Sequence, residues 1–241
     1  MKQTERWYSN RLQQSITLTR WGHFGTPVLI FPTAGGDAEE IERMELLTPL
    51  LNWIEAGRIK VYSCDSVAGR AWVEQKQSPA HCSWLHNQFH EAVRHEILPA
   101  IHADCGGPIE PIVTGASIGA FNAVSVLCRY PDRFKAALGM SGSYDLERLF
   151  KFSGNEHWYF CSPLHFLPGL TDPATLDALR QRQILLTIGG GRWESPEDNW
   201  RLAELLGSKG IPNQVEVWGS EWDHDWPTWR AMLPLYLDRL L

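Results

Sequence analysis

The stretch Gly115-Ala116-Ser117-Ile118-Gly119 combines residue types and spacing that could carry out chemistry. It matches G-x-S-x-G, in which a serine hydroxyl is carried on a sharp turn between a strand and a helix. Five small residues alone describe many turns. Here Pro111–Thr114 reads as a strand immediately before the motif, and Ile118–Tyr130 is apolar nearly all round, as a buried helix would be. A plain turn joining strand to helix needs no such arrangement, so Ser117 is read as a nucleophile. The helix that follows turns its free N–H groups towards the serine and favours developing negative charge there.

A serine hydroxyl attacks only when a base takes its proton, so a histidine must reach Ser117. Nine are present. His86, His90, His95 and His102 lie on or just after one helical pattern and are expected at its surface or edge. His23 falls in a turn between two strands, His81 in a loop, and His157 and His165 in a segment expected to cap the site. His224 follows the last expected strand and precedes the last helix, at the sheet edge where open α/β sheets place their ligands. It is taken as the base. A carboxylate must then fix the imidazole tautomer and stabilise imidazolium. Glu194 is the first acid after the strand Ile184–Ile188, beyond Gly189-Gly190-Gly191. Glu197 and Asp198 follow Ser195-Pro196, a helix-start signal, and fit first-turn charges. Asp145 is the outside competitor. Two backbone N–H donors complete the chemistry. One is Ile118, next to the nucleophile. The other comes from Pro32-Thr33-Ala34-Gly35-Gly36 and is either Ala34 or Gly35.

These residues need a scaffold. Short apolar runs at Ser15–Arg20, Pro27–Phe31, Lys60–Cys64, Pro111–Thr114, Lys135–Met140, Ile184–Ile188 and Gln214–Trp218 alternate with helical patterns. That is the signature of a mostly parallel sheet with helices on both faces. The Gly-containing connection 21–26 suits an antiparallel hairpin between the first two runs. Leu85, Phe89, Val93 and Ile97 recur every four residues and give an amphipathic helix, with His86, His90 and Glu91 on its other faces. Glu197–Ser208 and Trp226–Leu241 read as the last two helices. The stretch 144–175 is too long for a plain loop and is expected to hold short helices as a cap. No repeat or linker marks a boundary, so residues 1–241 are read as one domain.

Composition narrows the function. With 241 residues, 44% hydrophobic and 21% charged, the chain can bury a full α/β core. A net charge of −6 without a basic block disfavours nucleic acid. No apolar run reaches the ~20 residues of a membrane span. The first residues lack the apolar core of a secretory signal, so a cytoplasmic location is expected. Five cysteines at irregular spacing fit reduced packing thiols rather than disulfides or zinc. No phosphate loop, dinucleotide fingerprint or H-E-x-x-H occurs, so no cofactor and no metal are expected. Among the 12 tryptophans, Trp193, Trp222, Trp226 and Trp229 flank the proposed acid and histidine. Trp193 and Trp222 are candidates for an aromatic wall of a substrate pocket; Trp226 and Trp229, three apart on one helix face, read as packing.

With Pro-Val-Leu-Ile-Phe-Pro-Thr-Ala-Gly-Gly at 27–36, Gly-Ala-Ser-Ile-Gly at 115–119, Tyr-Pro-Asp-Arg-Phe at 130–134, Met-Ser-Gly-Ser-Tyr-Asp at 140–145 and Asp-His-Asp-Trp at 223–226, the chain resembles the esterase branch of the α/β-hydrolases. That branch includes esterase D-like, feruloyl-esterase-like and mycolyltransferase-like proteins, and the similarity is greatest to its small bacterial members. The resemblance implies an α/β-hydrolase fold and a serine esterase acting on a small-molecule ester, with the triad in the chain order serine, acid, histidine. Two positions depart from the family pattern. Thr33-Ala34 replaces the usual His-Gly of the oxyanion loop, and Glu194 replaces the usual aspartate. The expected reaction is ester hydrolysis through an acyl-enzyme on Ser117. An acyltransferase using the same residues and a non-catalytic binding protein of the same fold are the alternatives, and self-association is left open.

Overall fold

The computed structural model describes all 241 residues. Its strands are β1 (Lys2–Ser9), β2 (Gln14–Trp21), β3 (Thr26–Phe31), β4 (Ile59–Cys64), β5 (Ile112–Ala116), β6 (Ala136–Met140), β7 (Gln183–Ile188) and β8 (Asn213–Val217). They form one sheet in the order β1-β2-β4-β3-β5-β6-β7-β8. The pairs β1–β2 and β2–β4 are antiparallel; every pair from β4 to β8 is parallel. The α/β class expected from the sequence is the class observed.

The apolar runs of the central strands follow from burial on both faces. Along β3, Val28 and Ile30 join one core while Leu29 and Phe31 join the other, the period-two alternation of a pleated strand. All four are at most 1% exposed, and each such burial contributes roughly 1.5–3 kcal/mol. One core holds the last helix, Trp226–Leu237, and the short helices after β3. The other holds the helices Val67–Glu74, Pro79–Ala92, Ile118–Arg129 and Pro196–Ser208. The helix after Ser117 buries eleven of its twelve residues, since it lies between the sheet and further helices.

The expected hairpin between β2 and β3 does not form. β4 lies between them: Trp21 pairs with Val61 on one side, and Val28 with Val61 on the other. The connection 21–26 crosses the start of β4 instead of folding back. At Gly25, φ is +110°, and a Cβ there would collide with the backbone of Arg58 and Ile59. The true hairpin is β1–β2, with eight residue pairs. β1 was not expected, because Lys-Gln-Thr-Glu-Arg-Trp-Tyr-Ser carries no apolar alternation. As an edge strand it is exposed over most of its length, where charged side chains blunt the open edge.

Four short helices lie between β6 and β7: Leu146–Phe150, Glu156–Tyr159, Pro163–Gly169 and Pro173–Arg180. Asp145, Asn155 and Asp172 cap three of them by accepting from the backbone N–H three residues on. Trp158 from this segment is fully buried, and its ring stacks on Phe121 of the helix after Ser117 at 5.5 Å.

Candidate active site

Ser117 stands between β5 and the helix Ile118–Arg129 with φ +58° and ψ −122°. Such backbone costs on the order of 1–3 kcal/mol for a non-glycine residue and persists where its surroundings over-determine it. The glycines either side show how. A Cβ on Gly115 would meet the backbone of Gly119, and one on Gly119 would meet the carbonyls of Phe31 and Pro32. The two arms of the turn therefore press against each other and against the end of β3. The Ser117 N–H donates to Met140 O at 3.0 Å, which ties the turn to the end of β6. The side chain stays partly exposed.

Beyond β3, the turn 32–36 is held by Glu40. Its carboxylate accepts from the Thr33 N–H at 2.7 Å and from the Thr33 hydroxyl at 2.8 Å. Burial raises the Glu40 pKa above the usual carboxylate value, against the lowering effect of these two bonds. Gly36 N–H donates to Thr33 O at 3.1 Å. With the Thr33 and Gly36 amides committed, the Ala34 and Gly35 amides are the ones in this turn left without a protein acceptor. Ile118, first residue of its helix, has an N–H that the helix itself cannot pair.

Glu194 and His224 come from the loops that follow adjacent strands. Glu194 follows β7, and the chain turns back at Trp193, where φ is +63°. His224 follows β8. Glu194 Oε2 lies 3.2 Å from His224 Nδ1, and the glutamate side chain is 1% exposed. Its other oxygen accepts from the Ser141 hydroxyl at 2.6 Å and from Gly189 N–H at 3.3 Å. The two loops are stitched together: His224 N–H donates to Arg192 O at 3.0 Å, and Gly191 N–H to Trp222 O at 2.9 Å. Asp223 is occupied by Arg192, which donates from its backbone N, Nε and Nη2 at 2.7, 2.8 and 2.6 Å, and these bonds hold the Asp223 carboxyl below its ordinary pKa. Asp225 caps the last helix. His224 Nδ1 thus has Glu194 as its carboxylate partner although two aspartates adjoin it in sequence. No hydrogen bond joins His224 to Ser117.

The rival acids are engaged elsewhere. Asp198 sits in the first turn of Pro196–Ser208 and pairs with Arg148 at 2.7 Å; Asp145 pairs with Arg201 at 2.8 Å. Glu197 lies in that same first turn. Of the tryptophans, Trp193 is 79% exposed with the Arg192 guanidinium 5.3 Å from its ring, Trp222 packs edge-on against Trp218 at 4.7 Å, and Trp226 packs on Trp229 at 5.0 Å.

The chain matches the family described as "Putative esterase" over residues 61–240, a span that holds Ser117, Ser141, Glu194 and His224. The chain belongs to that family. It is an esterase, and its sheet is that of the α/β-hydrolases. No curated protein matches it in sequence. Its fold is similar to that of a ferulic acid esterase, with TM-score 0.76, 16% identity, and 100% of this chain and 97% of that chain covered. An S-formylglutathione hydrolase from Agrobacterium tumefaciens gives TM-score 0.69 at 16% identity, covering 100% of this chain and 96% of that one. FphF, a fluorophosphonate-binding serine hydrolase of Staphylococcus aureus, gives 0.67 at 13%, covering 100% and 98%. No helix is long and apolar enough to cross a membrane.

Two histidines expected at the surface are not there. His86 and His90 are both 0% exposed. They converge on Asn122 of the helix after Ser117, with Nε2–Oδ1 distances of 2.8 and 3.1 Å, and Trp72 Nε1 donates to His86 Nδ1 at 3.1 Å. Burial pushes the His86 pKa down to about 4 and that of His90 well below its ordinary value. The helix Pro79–Ala92 has a wider buried stripe than its aliphatic residues indicate, because it packs on a neighbouring helix and on the segment after β6 together. Imidazoles fit that stripe where an amide supplies their partner. Sequence reasoning also passed over the contacts of Ser141 and Trp229. Ser141 falls within a motif shared with the family, but nothing local tells that its hydroxyl meets a residue 53 positions later.

Proposed function

We propose that this esterase hydrolyses a carboxylic ester of a small molecule through an acyl-enzyme on Ser117, with His224 as general base and Glu194 as the acid that orients it. The observation that carries the reading is the buried Glu194 carboxylate 3.2 Å from His224 Nδ1, on the sheet edge that also carries Ser117 in a strained turn. A carboxylate at Nδ1 holds the proton there and leaves Nε2 free to take the Ser117 hydroxyl proton. Ser117 Oγ then attacks the ester carbonyl carbon. The carbonyl oxygen becomes an oxyanion within reach of the Ile118 N–H and that of Ala34 or Gly35, donors of a kind worth roughly 10²–10³ in rate each. Imidazolium returns its proton to the departing alcohol, and water, activated by the same histidine, releases the acid. The helices between β6 and β7 serve as a cap, and Trp193 and Trp222 line the approach. Solved structures of the same fold bear the names of a ferulic acid esterase and an S-formylglutathione hydrolase, which supports an acyl-transfer centre and spans a wide substrate range.

Treatment with a fluorophosphonate and mass spectrometry of the digested protein tests this directly. The adduct is expected on Ser117, and Ser117→Ala is expected to lose about 10⁴-fold or more in ester turnover while keeping its fold. An adduct on another residue, or undiminished turnover in the variant, refutes the assignment. Product analysis with added alcohols separates hydrolysis from transfer, which would yield a new ester.

A further inference from the structure

We propose that Ser141 is a positioning residue that fixes the Glu194 carboxylate against His224, with Trp229 as its anchor. The inference rests on the Glu194–His224 reading above and adds two residues to it.

The direction of each hydrogen bond follows from donor chemistry. An indole N–H can only donate, so at 2.9 Å from Trp229 Nε1 the Ser141 Oγ must accept. The single hydroxyl proton of Ser141 is then left for Glu194 Oε1, 2.6 Å away. That is the short, charge-assisted kind of bond, and the other donor to the same oxygen, Gly189 N–H, is farther off at 3.3 Å. Oε2 remains for His224. Trp229 also reaches the far end of the chain of contacts, since its ring meets the His224 ring edge-on at 5.2 Å and 86°. Indole, hydroxyl, carboxylate and imidazole form a closed circuit, with Ser141 and Trp229 at most 4% exposed.

The backbone is arranged for this contact. Ser141 has φ +48°, a conformation that costs energy for any residue with a Cβ. Its N–H donates to Thr187 O at 2.7 Å, and the residue before it, Met140, accepts the Ser117 N–H. The end of β6 therefore fixes both the nucleophile turn and the acid. A glutamate needs such a fixture more than an aspartate does, having one more torsion to hold between Cα and the carboxylate.

The consequence is readable in a pH profile. A carboxylate held at Nδ1 favours imidazolium; a loosened one favours it less, so the acidic limb of kcat/KM moves to lower pH. Ser141→Ala is expected to lower kcat by about 10- to 100-fold with KM within about twofold, and to move that limb to lower pH. Trp229→Phe keeps an aromatic ring but removes the N–H together with the five-membered ring that bears it, and is expected to shift both quantities in the same direction by less. Glu194→Gln is measured in parallel. If Glu194→Gln keeps its activity, the acid assignment and this inference fall together. If Glu194→Gln collapses while Ser141→Ala and Trp229→Phe keep wild-type kcat and limb position, this inference alone falls. It falls equally if Ser141→Ala lowers the melting temperature and kcat with the limb unmoved, since that is the mark of a merely structural role.

Discussion

His224 Nδ1 and Glu194 Oε2 meet at 3.2 Å across 30 residues of sequence, each on the loop that leaves one of two adjacent parallel strands, β7 and β8. The nearer carboxylates in sequence, Asp223 and Asp225, are spent on Arg192 and on the cap of the last helix. This pairing leads to a sharp expectation for Glu194→Gln. The amide keeps the shape but cannot stabilise imidazolium, so kcat is expected to fall by about 10²–10⁴ with a smaller effect on KM. Asp198→Asn and Asp145→Asn are each expected to cost much less in kcat. Steady-state kinetics of the three variants decides it, and a larger loss in either aspartate variant defeats the assignment.

Glu40 holds the Thr33 amide and hydroxyl, and with them the turn that carries Ala34 and Gly35. Glu40→Ala is expected to loosen that turn and lower kcat by about 10- to 100-fold, since small misplacements of catalytic groups are costly. The fluorophosphonate labelling rate of Ser117 should fall with it. Wild-type labelling and turnover in the variant would show that the turn holds itself.

The His86–His90 pair sets a stability dependence on pH. His86 has a folded pKa of about 4 against an ordinary 6.5, because burial disfavours its charged form. Above pH 6.5 both folded and unfolded states are neutral and the full stability is present. As pH falls from 6.5 towards 4, the unfolded chain binds protons that the folded one refuses, and stability is lost. The shift corresponds to about 3 kcal/mol for His86, with a further loss in the same direction from His90. Thermal melts between pH 7 and 4 should show this fall, and the double variant His86→Gln, His90→Gln should be flatter over the window even if less stable at pH 7. An equal slope in the variant would assign the acid sensitivity to other groups.

Trp193 is 79% exposed beside the acid loop and makes little of the core. Trp193→Ala is expected to leave the melting temperature within about a degree or two. KM for aryl esters is expected to rise severalfold, with little change for short alkyl esters. Equal effects on both ester types would remove Trp193 from the substrate wall.

Much of this was legible in the sequence because it is local. A strand, a G-x-S-x-G turn and an all-round apolar helix in succession specify an elbow at Ser117, and burial on both faces makes β3 to β7 readable as apolar runs. Residue order alone places an acid after one strand and a histidine after the next. What the sequence could not carry was whatever depends on the neighbour across space. β1 lacked an apolar signal because an edge strand buries little. The slot beside β2 went to β4, which pairs with it antiparallel across 40 to 46 residues of sequence, a contact that no local pattern of residue types marks. His86 and His90 look like surface residues until Asn122 meets the Nε2 of both and Trp72 the Nδ1 of His86, and Ser141 is an ordinary turn serine until Glu194 and Trp229 arrive from 53 and 88 residues away. Such partners are chosen by packing of distant segments at ångström precision, and a linear pattern of residue types does not encode that distance.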